Sequence, residues 1–339
     1  MSAEPERSRW RGEGVRVDEV VGELARMHHA HQRDGHGHAV ARTLNLIVAP
    51  SSPRARGAID AALAGLGDHS PSRTLELRRQ RSHRLDAEVI LECQLQGATG
   101  RVGVCHDRVL LAADDSRLEH AASLLAPLLV PDLATVLWLP EPGSPIPDQR
   151  LLARAQQVVV DSGTEDGDAL GRLADLVRWA RVHDLAWGRL DFWRAATASA
   201  FEPPERRTLL ARITRLDVAH GPDAFSAALL LAGWITARAG WLPQAVERHD
   251  GRAVGRAERG DGGRVAISLT RDPHAGGCGG VEGLVLGTDS GEVRVARGAA
   301  TSGLRDLFAE ALQPRPSFAR GYADAVQAAV AMLKGGSGS

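Results

Sequence analysis

Five histidines crowd eleven positions near the start of the chain: His28, His29 and His31, then His36 and His38 around two glycines. Imidazole nitrogens at that density could hold a divalent metal. The competing reading is a solvated helix end, because no carboxylate or cysteine stands at ligand spacing to complete a shell, and no metal is expected. Cys93, Cys105 and Cys278 are too few and too scattered for a disulfide framework or a cysteine-based zinc site. Cys278 lies in Gly276-Gly277-Cys278-Gly279-Gly280 with no base or orienting group nearby, so a thiolate nucleophile has nothing to raise it. His106-Asp107 and His183-Asp184 are acid–base neighbours in sequence, a spacing that rarely turns two side chains to face each other. Lys334 is the only lysine, which excludes a Schiff base in the folded body and a P-loop lysine. GxSxG, HExxH, the kinase set and a GxGxxG between strand and helix are all absent. These residue types point away from an enzyme, and no cofactor is expected.

One stretch does stand out, Asp184-Leu185-Ala186-Trp187-Gly188-Arg189-Leu190-Asp191-Phe192-Trp193-Arg194. Of seven tryptophans in the chain, Trp179, Trp187 and Trp193 fall within fifteen positions. Indoles carry large contact area, so this density marks either a packing centre or a recognition surface. Arg178, Arg181, Arg189 and Arg194 are interleaved, with guanidinium planes able to stack on the rings or pair with carboxylates. A continuous helix here would put Arg189 and Trp193 on one face.

The elements that must position these residues follow from periodicity. Residues 1–16 are polar and expected to fray. Val17, Val20, Val21, Leu24 and Met27 recur at helical spacing. Residues 43–48 are the first strand, Ser52-Pro53 opens a helix carrying Ile59 and Leu63, and residues 74–77 form a second strand. Strand–helix–strand with short connections is the usual route to parallel pairing. Residues 87–95 and 102–111 alternate apolar and polar across a glycine turn and predict an antiparallel hairpin. Its register sets Cys93 opposite or diagonal to Cys105, either as reduced thiols in a sheet or as a thiol switch. Ser116-Arg117-Leu118-Glu119 has the capping-box pattern. Residues 134–139 are a buried strand cut by Pro140-Glu141-Pro142-Gly143-Ser144-Pro145-Ile146-Pro147. That stiff loop lies at a strand's C-terminal edge, where open α/β sheets place ligands or partners.

Residues 157–162 read as a further strand and 169–182 as a helix leading into the tryptophan stretch. Glu202-Pro203-Pro204-Glu205 is a breaker, 208–218 a strand, and Gly221-Pro222-Asp223 the start of an apolar helix ending near Gly240-Trp241. Residues 245–297 turn to β hairpins, with strands expected at 245–248, 265–270, 281–286 and 292–296, and helices 303–312 and 318–333 close the chain. The fold class is therefore α/β with two α/β domains. The N-terminal one has a mixed sheet with a strand–helix–strand unit plus hairpin, and the C-terminal one has helices and a largely antiparallel sheet. The expected division is 1–38 arm and helix, 39–178 N-terminal domain, 179–334 C-terminal domain and 335–339 a linker-like tail.

Composition agrees with a globular protein of this size: 339 residues, 43% hydrophobic, formal net charge −1. A balanced charge leaves no footprint for nucleic acid or an anionic membrane. No apolar run approaches bilayer length and residues 1–20 lack a signal-peptide core, so the expected compartment is the cytosol.

The landmarks occur in a familiar order: Arg42-Thr43-Leu44, His69-Ser70-Pro71-Ser72-Arg73, Leu128-Leu129-Val130-Pro131-Asp132-Leu133, Val136-Leu137-Trp138-Leu139-Pro140, Asp184-Leu185-Ala186-Trp187 with Trp193-Arg194, and Ala232-Gly233-Trp234 with Gly240-Trp241. From about residue 40 to 310 the chain resembles the OpcA family, the glucose-6-phosphate dehydrogenase assembly proteins of actinobacteria and cyanobacteria. The lysine-poor composition suits an actinobacterial-like source. The resemblance implies a non-catalytic partner that binds glucose-6-phosphate dehydrogenase, promotes its active oligomer and supports NADPH supply through the oxidative pentose phosphate pathway. In cyanobacterial relatives activation is linked to thioredoxin, but no CxxC occurs here. The sequence also departs from the family pattern in its histidine-rich start and at Leu139, where relatives tend to carry a second tryptophan. The expected contact surface comprises Arg73, Trp138, Pro140, Asp184, Trp187, Arg189, Trp193 and Arg194. The alternative is an α/β protein that binds or turns over a sugar phosphate, with Arg42, Arg73 and Arg189 as anion ligands.

Overall fold

Strands rich in valine, leucine and isoleucine, buried on both faces, set the centre of the first half. β2 (Leu44–Val48), β6 (Ala134–Leu139) and β7 (Gln157–Val160) bury nearly every residue, the pattern of a parallel sheet covered on both sides. The structure, a computed structural model, describes residues 6–33, 42–53, 55–63, 71–96, 102–141, 146, 148–164, 168–273, 280–296, 303–313 and 321–334. It divides into a first unit, Met1–Val160 with Leu304–Gln313, and a second, Asp161–Gly303 with Pro314–Ser339. No described helix is long and apolar enough to cross a membrane.

In the first unit β1 (Glu6–Gly12), β3 (Ser72–Arg79), β4 (Asp86–Gln96) and β5 (Val102–Ala113) complete the order β1-β4-β5-β3-β2-β6-β7. The run β5-β3-β2-β6-β7 is parallel, and β4 and β1 add antiparallel strands at one side. Helix α1 (Val17–Arg33) follows β1, and α2 (Arg56–Leu63) joins β2 to β3. From β2 the chain goes to β3 on one side and later to β6 on the other, which makes the β2/β6 pair a topological switch point.

Two expectations need correction here. Residues 6–12 of the polar start form a strand: β1 pairs with β4 from Glu6↔Cys93 to Gly12↔Ala87. Its arginines meet the β4 carboxylates, Arg7 to Glu92 at 2.9 Å, with Arg9 also paired to Glu88, so cross-strand charge replaces an apolar face. The helix α3 (Asp115–Leu118) starts ahead of the expected capping box, because Asp114 accepts from the Arg117 amide at 3.1 Å and Ser116 donates its hydroxyl to Asp114. Helices α4 (Ala121–Leu125) and α5 (Arg150–Arg154) flank β6 in sequence.

The second unit opens with α6 (Asp168–Trp179), β8 (Val182–Asp184), α7 (Leu185–Arg189), α8 (Asp191–Ala200) and α9 (Pro204–Leu210). The Pro-Pro-Glu run read as a breaker is a helix start, with Pro204 at the first helical position. The strand expected from 208 therefore begins only at β9 (Ile213–His220). Helix α10 (Phe225–Ala239) is buried almost all round, as befits the central helix of the unit, and ends on left-handed Gly240. The sheet runs β10-β12-β13-β9-β14-β15, with β11 paired to β12. Here β10 is Leu242–Pro243, β11 Glu247–His249, β12 Arg252–Glu258, β13 Arg264–Arg271, β14 Val281–Thr288 and β15 Gly291–Ala296. Only β13/β9 is parallel; the other pairs are antiparallel.

Two late helices complete the units. α11 (Leu304–Ala311) belongs to the first and buries Phe308, and α12 (Tyr322–Leu333) belongs to the second. At the α10–α12 crossing, a Cβ on Gly233 would lie 2.4 Å from the Ala325 carbonyl oxygen and 2.9 Å from the Ala329 amide nitrogen. Only glycine admits that approach of two helix backbones.

Candidate functional site

At the switch point of the first sheet, β2 runs out into Ala49-Pro50-Ser51-Ser52-Pro53 and β6 into Pro140-Glu141. Nucleotide-binding sheets of this winding place a glycine-rich turn and a helix N-terminus here, with free amides for phosphate. In this chain Pro50 and Pro53 carry no N–H. The Glu141 carboxylate accepts from the Ser52 amide and the Ser52 hydroxyl, both at 2.6 Å. The protein's own anion thus sits where a ligand's phosphate would be held. The half-buried Pro140 is part of this turn; Pro142, Gly143, Ser144, Pro145 and Pro147 lie outside the described residues.

Beside it in chain order, β3 and β5 bring Arg73 directly opposite Asp107. Asp107 is wholly buried. Arg73 donates Nε to it at 2.8 Å and Nη1 to the Leu128 carbonyl at 2.9 Å. Arg42 donates Nε at 2.9 Å and Nη2 at 3.2 Å, and His28 Nε2 stands 3.1 Å from Oδ1. Burial alone would raise this carboxyl, but the His28 hydrogen bond, the Arg73 charge and the Arg42 hydrogen bond outweigh it and hold it well below the usual range. Burial in turn lowers Arg73, partly offset by Asp107. Asp107 does not work with its sequence neighbour His106, which instead contacts Glu92 at 3.1 Å.

The tryptophan stretch is organised by Asp184. Its Oδ1 accepts from the Ser162 and Ala186 amides at 3.0 Å each, and its Oδ2 from the Ser162 hydroxyl at 2.5 Å and Tyr322 at 2.8 Å. Burial, with Asp161 nearby, raises the Asp184 carboxyl against those hydrogen bonds, and burial beside Asp184 pushes Tyr322 well above its ordinary value. Asp184 also caps α7. The helix is not continuous: α7 ends at Arg189 and α8 begins at Asp191. Arg189 grips Asp161 with two bonds at 2.7 and 2.6 Å, while Trp193 is buried. Arg194 lies 3.7 Å over the Trp187 ring, donates to the Trp187 carbonyl at 2.6 Å and pairs with Asp191. Burial lowers Arg194 to about 10.

The ring-and-guanidinium face expected at these positions is therefore an interior packing centre. Trp187 is 3% exposed, Trp193 2% and Trp138 3%. Trp187 meets Tyr322 edge-on at 5.4 Å, and Trp138 packs on Phe308 at 4.2 Å. The rings are sealed because helices distant in sequence close over them, a tertiary outcome with no local signal. Arg73, Trp138 and Pro140 belong to the first unit, and Asp184, Trp187, Arg189, Trp193 and Arg194 to the second. Among the described residues the large exposed aromatics are ones outside the expected contact set: Trp179 at 84% and Phe192 at 42%. The arginines of the anion-ligand alternative are engaged within the protein: Arg42 and Arg73 share Asp107, and Arg189 pairs with Asp161.

Among the described residues no group of three or more potential ligands could hold a metal. His28 is committed to the Asp107 cluster and His31 is buried, while His36 and His38 lie outside the described residues. Cys93 and Cys105 are directly opposed in the β4–β5 ladder. Their side chains, and Cys278, lie outside the described residues.

Two family profiles match the chain in succession. The first, glucose-6-phosphate dehydrogenase subunit N-terminal domain, covers residues 65–178; the second, its C-terminal domain, covers residues 180–326. The chain belongs to the OpcA family. All eight expected contact residues fall inside the OpcA matches. An OpcA relative from Synechocystis is 28% identical over 215 residues, 59% of this chain and 43% of that protein. One from Synechococcus elongatus is 30% identical over 166 residues, 47% of this chain and 37% of that protein. Both carry the provisional name OxPP cycle protein OpcA. The matched stretch thus spans less than half the length of either. Among solved structures, the WlbA dehydrogenase from Bordetella pertussis with NADH and UDP-GlcNAcA is 12% identical at a TM-score of 0.47, covering 86% of this chain and 96% of that one. A myo-inositol 2-dehydrogenase from Lactobacillus plantarum is 9% identical at 0.44, covering 85% and 96%. Likeness of that degree assigns neither fold nor chemistry.

Proposed function

We propose that this OpcA-family protein is a non-catalytic partner that binds glucose-6-phosphate dehydrogenase, promotes its active oligomer and thereby supports NADPH supply through the oxidative pentose phosphate pathway. The observation that carries the reading is the succession of both OpcA domains along one chain. The switch-point crevice supports it, because Glu141 fills the anion position that a dinucleotide would need. The buried carboxylates support it too. Asp107 and Asp184 have their oxygens taken up by fixed donors, an arrangement that holds elements together rather than moving protons.

Within the second unit, Trp187, Trp193 and Arg194 form the frame of the contact region, and the exposed Trp179 and Phe192 supply its anchors. Asp184 and Arg189 hold that frame, and Arg73, Trp138 and Pro140 hold the corresponding region of the first unit. The test is co-purification of the chain with glucose-6-phosphate dehydrogenase and assay of the dehydrogenase with and without it. A stoichiometric complex with raised activity is expected. Heat of binding of glucose 6-phosphate, 6-phosphogluconate or NADP to the chain alone, or turnover by it, would overturn the reading.

A further inference from the structure

The second unit contains a pocket of ≈ 710 Å³ lined from α8, α9, the end of α10 and the turn between β12 and β13. Its floor is apolar: Phe201, Ile213, Ile235, Trp241 and Leu286 are all buried side chains. Its rim is basic. Arg207 on α9 and Arg238 on α10 are exposed, and neither guanidinium has a hydrogen-bond or ion-pair partner among the described residues. Arg259, by contrast, is held by Asp261 at 3.1 Å and by the Ile213 carbonyl at 2.9 Å. Leu210, 42% exposed, adds apolar surface at the mouth.

The geometry points to this pocket as the socket for an apolar side chain of the protein partner, presented on a segment whose neighbouring residues are carboxylates. The inference rests on the reading above and adds a second patch, apart from Trp179 and Phe192, through which it acts. Charge decides the partner's character: two uncommitted guanidiniums beside an apolar floor attract an acidic segment with an aliphatic or aromatic anchor. A free sugar phosphate fits less well. Specific sites for such metabolites converge several fixed polar groups around the ligand. Here the wall's Thr197 hydroxyl already donates to the Trp193 carbonyl at 2.6 Å, and the two free arginines stand at the mouth on separate helices.

The experiment uses the whole chain with glucose-6-phosphate dehydrogenase, comparing wild type, the double variant Arg207→Glu/Arg238→Glu, and Leu210→Asp. Affinity is measured by surface plasmon resonance at low and at physiological salt, and folding is checked by thermal melting. Wild-type melting temperatures are expected for all, since the substituted side chains are exposed and unbonded. The charge reversal should weaken binding by about tenfold or more and remove much of its salt dependence. Leu210→Asp should weaken it by about fivefold or more. Unchanged affinity in both variants, with wild type binding, overturns the socket and leaves the assembly reading standing. No binding by wild type overturns both. Binding of free glucose 6-phosphate or NADP that is lost in the double variant would make the pocket a metabolite site and overturn the inference.

Discussion

Replacing Asp107 with asparagine is the most direct test of how the first unit is held. The substitution keeps the side chain's shape and removes one charge from a site that is wholly buried, among Arg42, Arg73 and His28. Two guanidiniums would then face a neutral amide, and one of its two ends would present N–H groups to donors. Removing one partner of a buried ionic cluster costs about 3–5 kcal/mol, against a total stability of about 5–15 kcal/mol for an ordinary domain. Urea unfolding, followed by far-ultraviolet dichroism and tryptophan fluorescence, reads this directly. At a slope near 2 kcal/mol per molar urea, the unfolding midpoint should fall by roughly 1.5–2.5 M. Acid gives a second arm. The Asp107 carboxyl is depressed in the fold, so its stabilisation is complete above the unfolded carboxylate value of about 3.9 and is lost as pH falls below it towards the folded value. Wild type and Asp107→Asn should therefore converge in stability as pH drops below about 4. A loss under about 1 kcal/mol at neutral pH, or a wild-type excess that persists unchanged in acid, would refute the reasoning.

Other expectations follow from the same contacts. Trp193→Ala should cost about 3–5 kcal/mol by emptying a core position, whereas Trp179→Ala should shift stability by less than about 0.5 kcal/mol and weaken dehydrogenase binding; calorimetric melting and an affinity measurement separate the two. Burial, with the Arg181 charge, pulls His183 down to about 4. The neutral ring favours the fold, so stability should decline as pH falls from about 6.5 towards 4, by on the order of 2–3 kcal/mol, and His183→Gln should flatten that decline in melts across the range. Gly233→Ala drives a methyl group into the α12 backbone and should cost about 1–3 kcal/mol in a denaturant titration. NADP titrated into the chain alone should give no heat, because Glu141 holds the anion position.

Where pattern is local, the fold was legible. The β4–β5 hairpin announces itself by period-two alternation, and its register does bring Cys93 opposite Cys105. The strand–helix–strand unit was readable from β2, α2 and β3. β1 was not, because Arg7, Arg9 and Arg11 give it no apolar face and its partners lie on β4. β12 escaped for a related reason: Arg252, Arg256 and Glu258 interrupt its hydrophobic signal, and pairing on both sides holds it in place. At the site, composition alone allowed the indoles to be either interior or surface. Tyr322, supplied by the last helix, seals Trp187, and nothing near residue 187 foretells it. Asp107 did offer a signal, a lone carboxylate just ahead of the apolar run Val109-Leu110-Leu111, where a buried charge must find cations. Those cations, Arg42 and Arg73, come from other segments.

The placement of Leu304–Gln313 with Met1–Val160 has a consequence for biogenesis. As the chain leaves the ribosome, the first unit stays unfinished until the whole second sheet has been translated, since Phe308 is what roofs Trp138. During that interval an indole and the leucine-rich strands around it are open to chaperones or to misassociation. No single cut can release either unit intact, and an expressed fragment stopping at Val160 should be sticky, poorly soluble and dark to any assay of function.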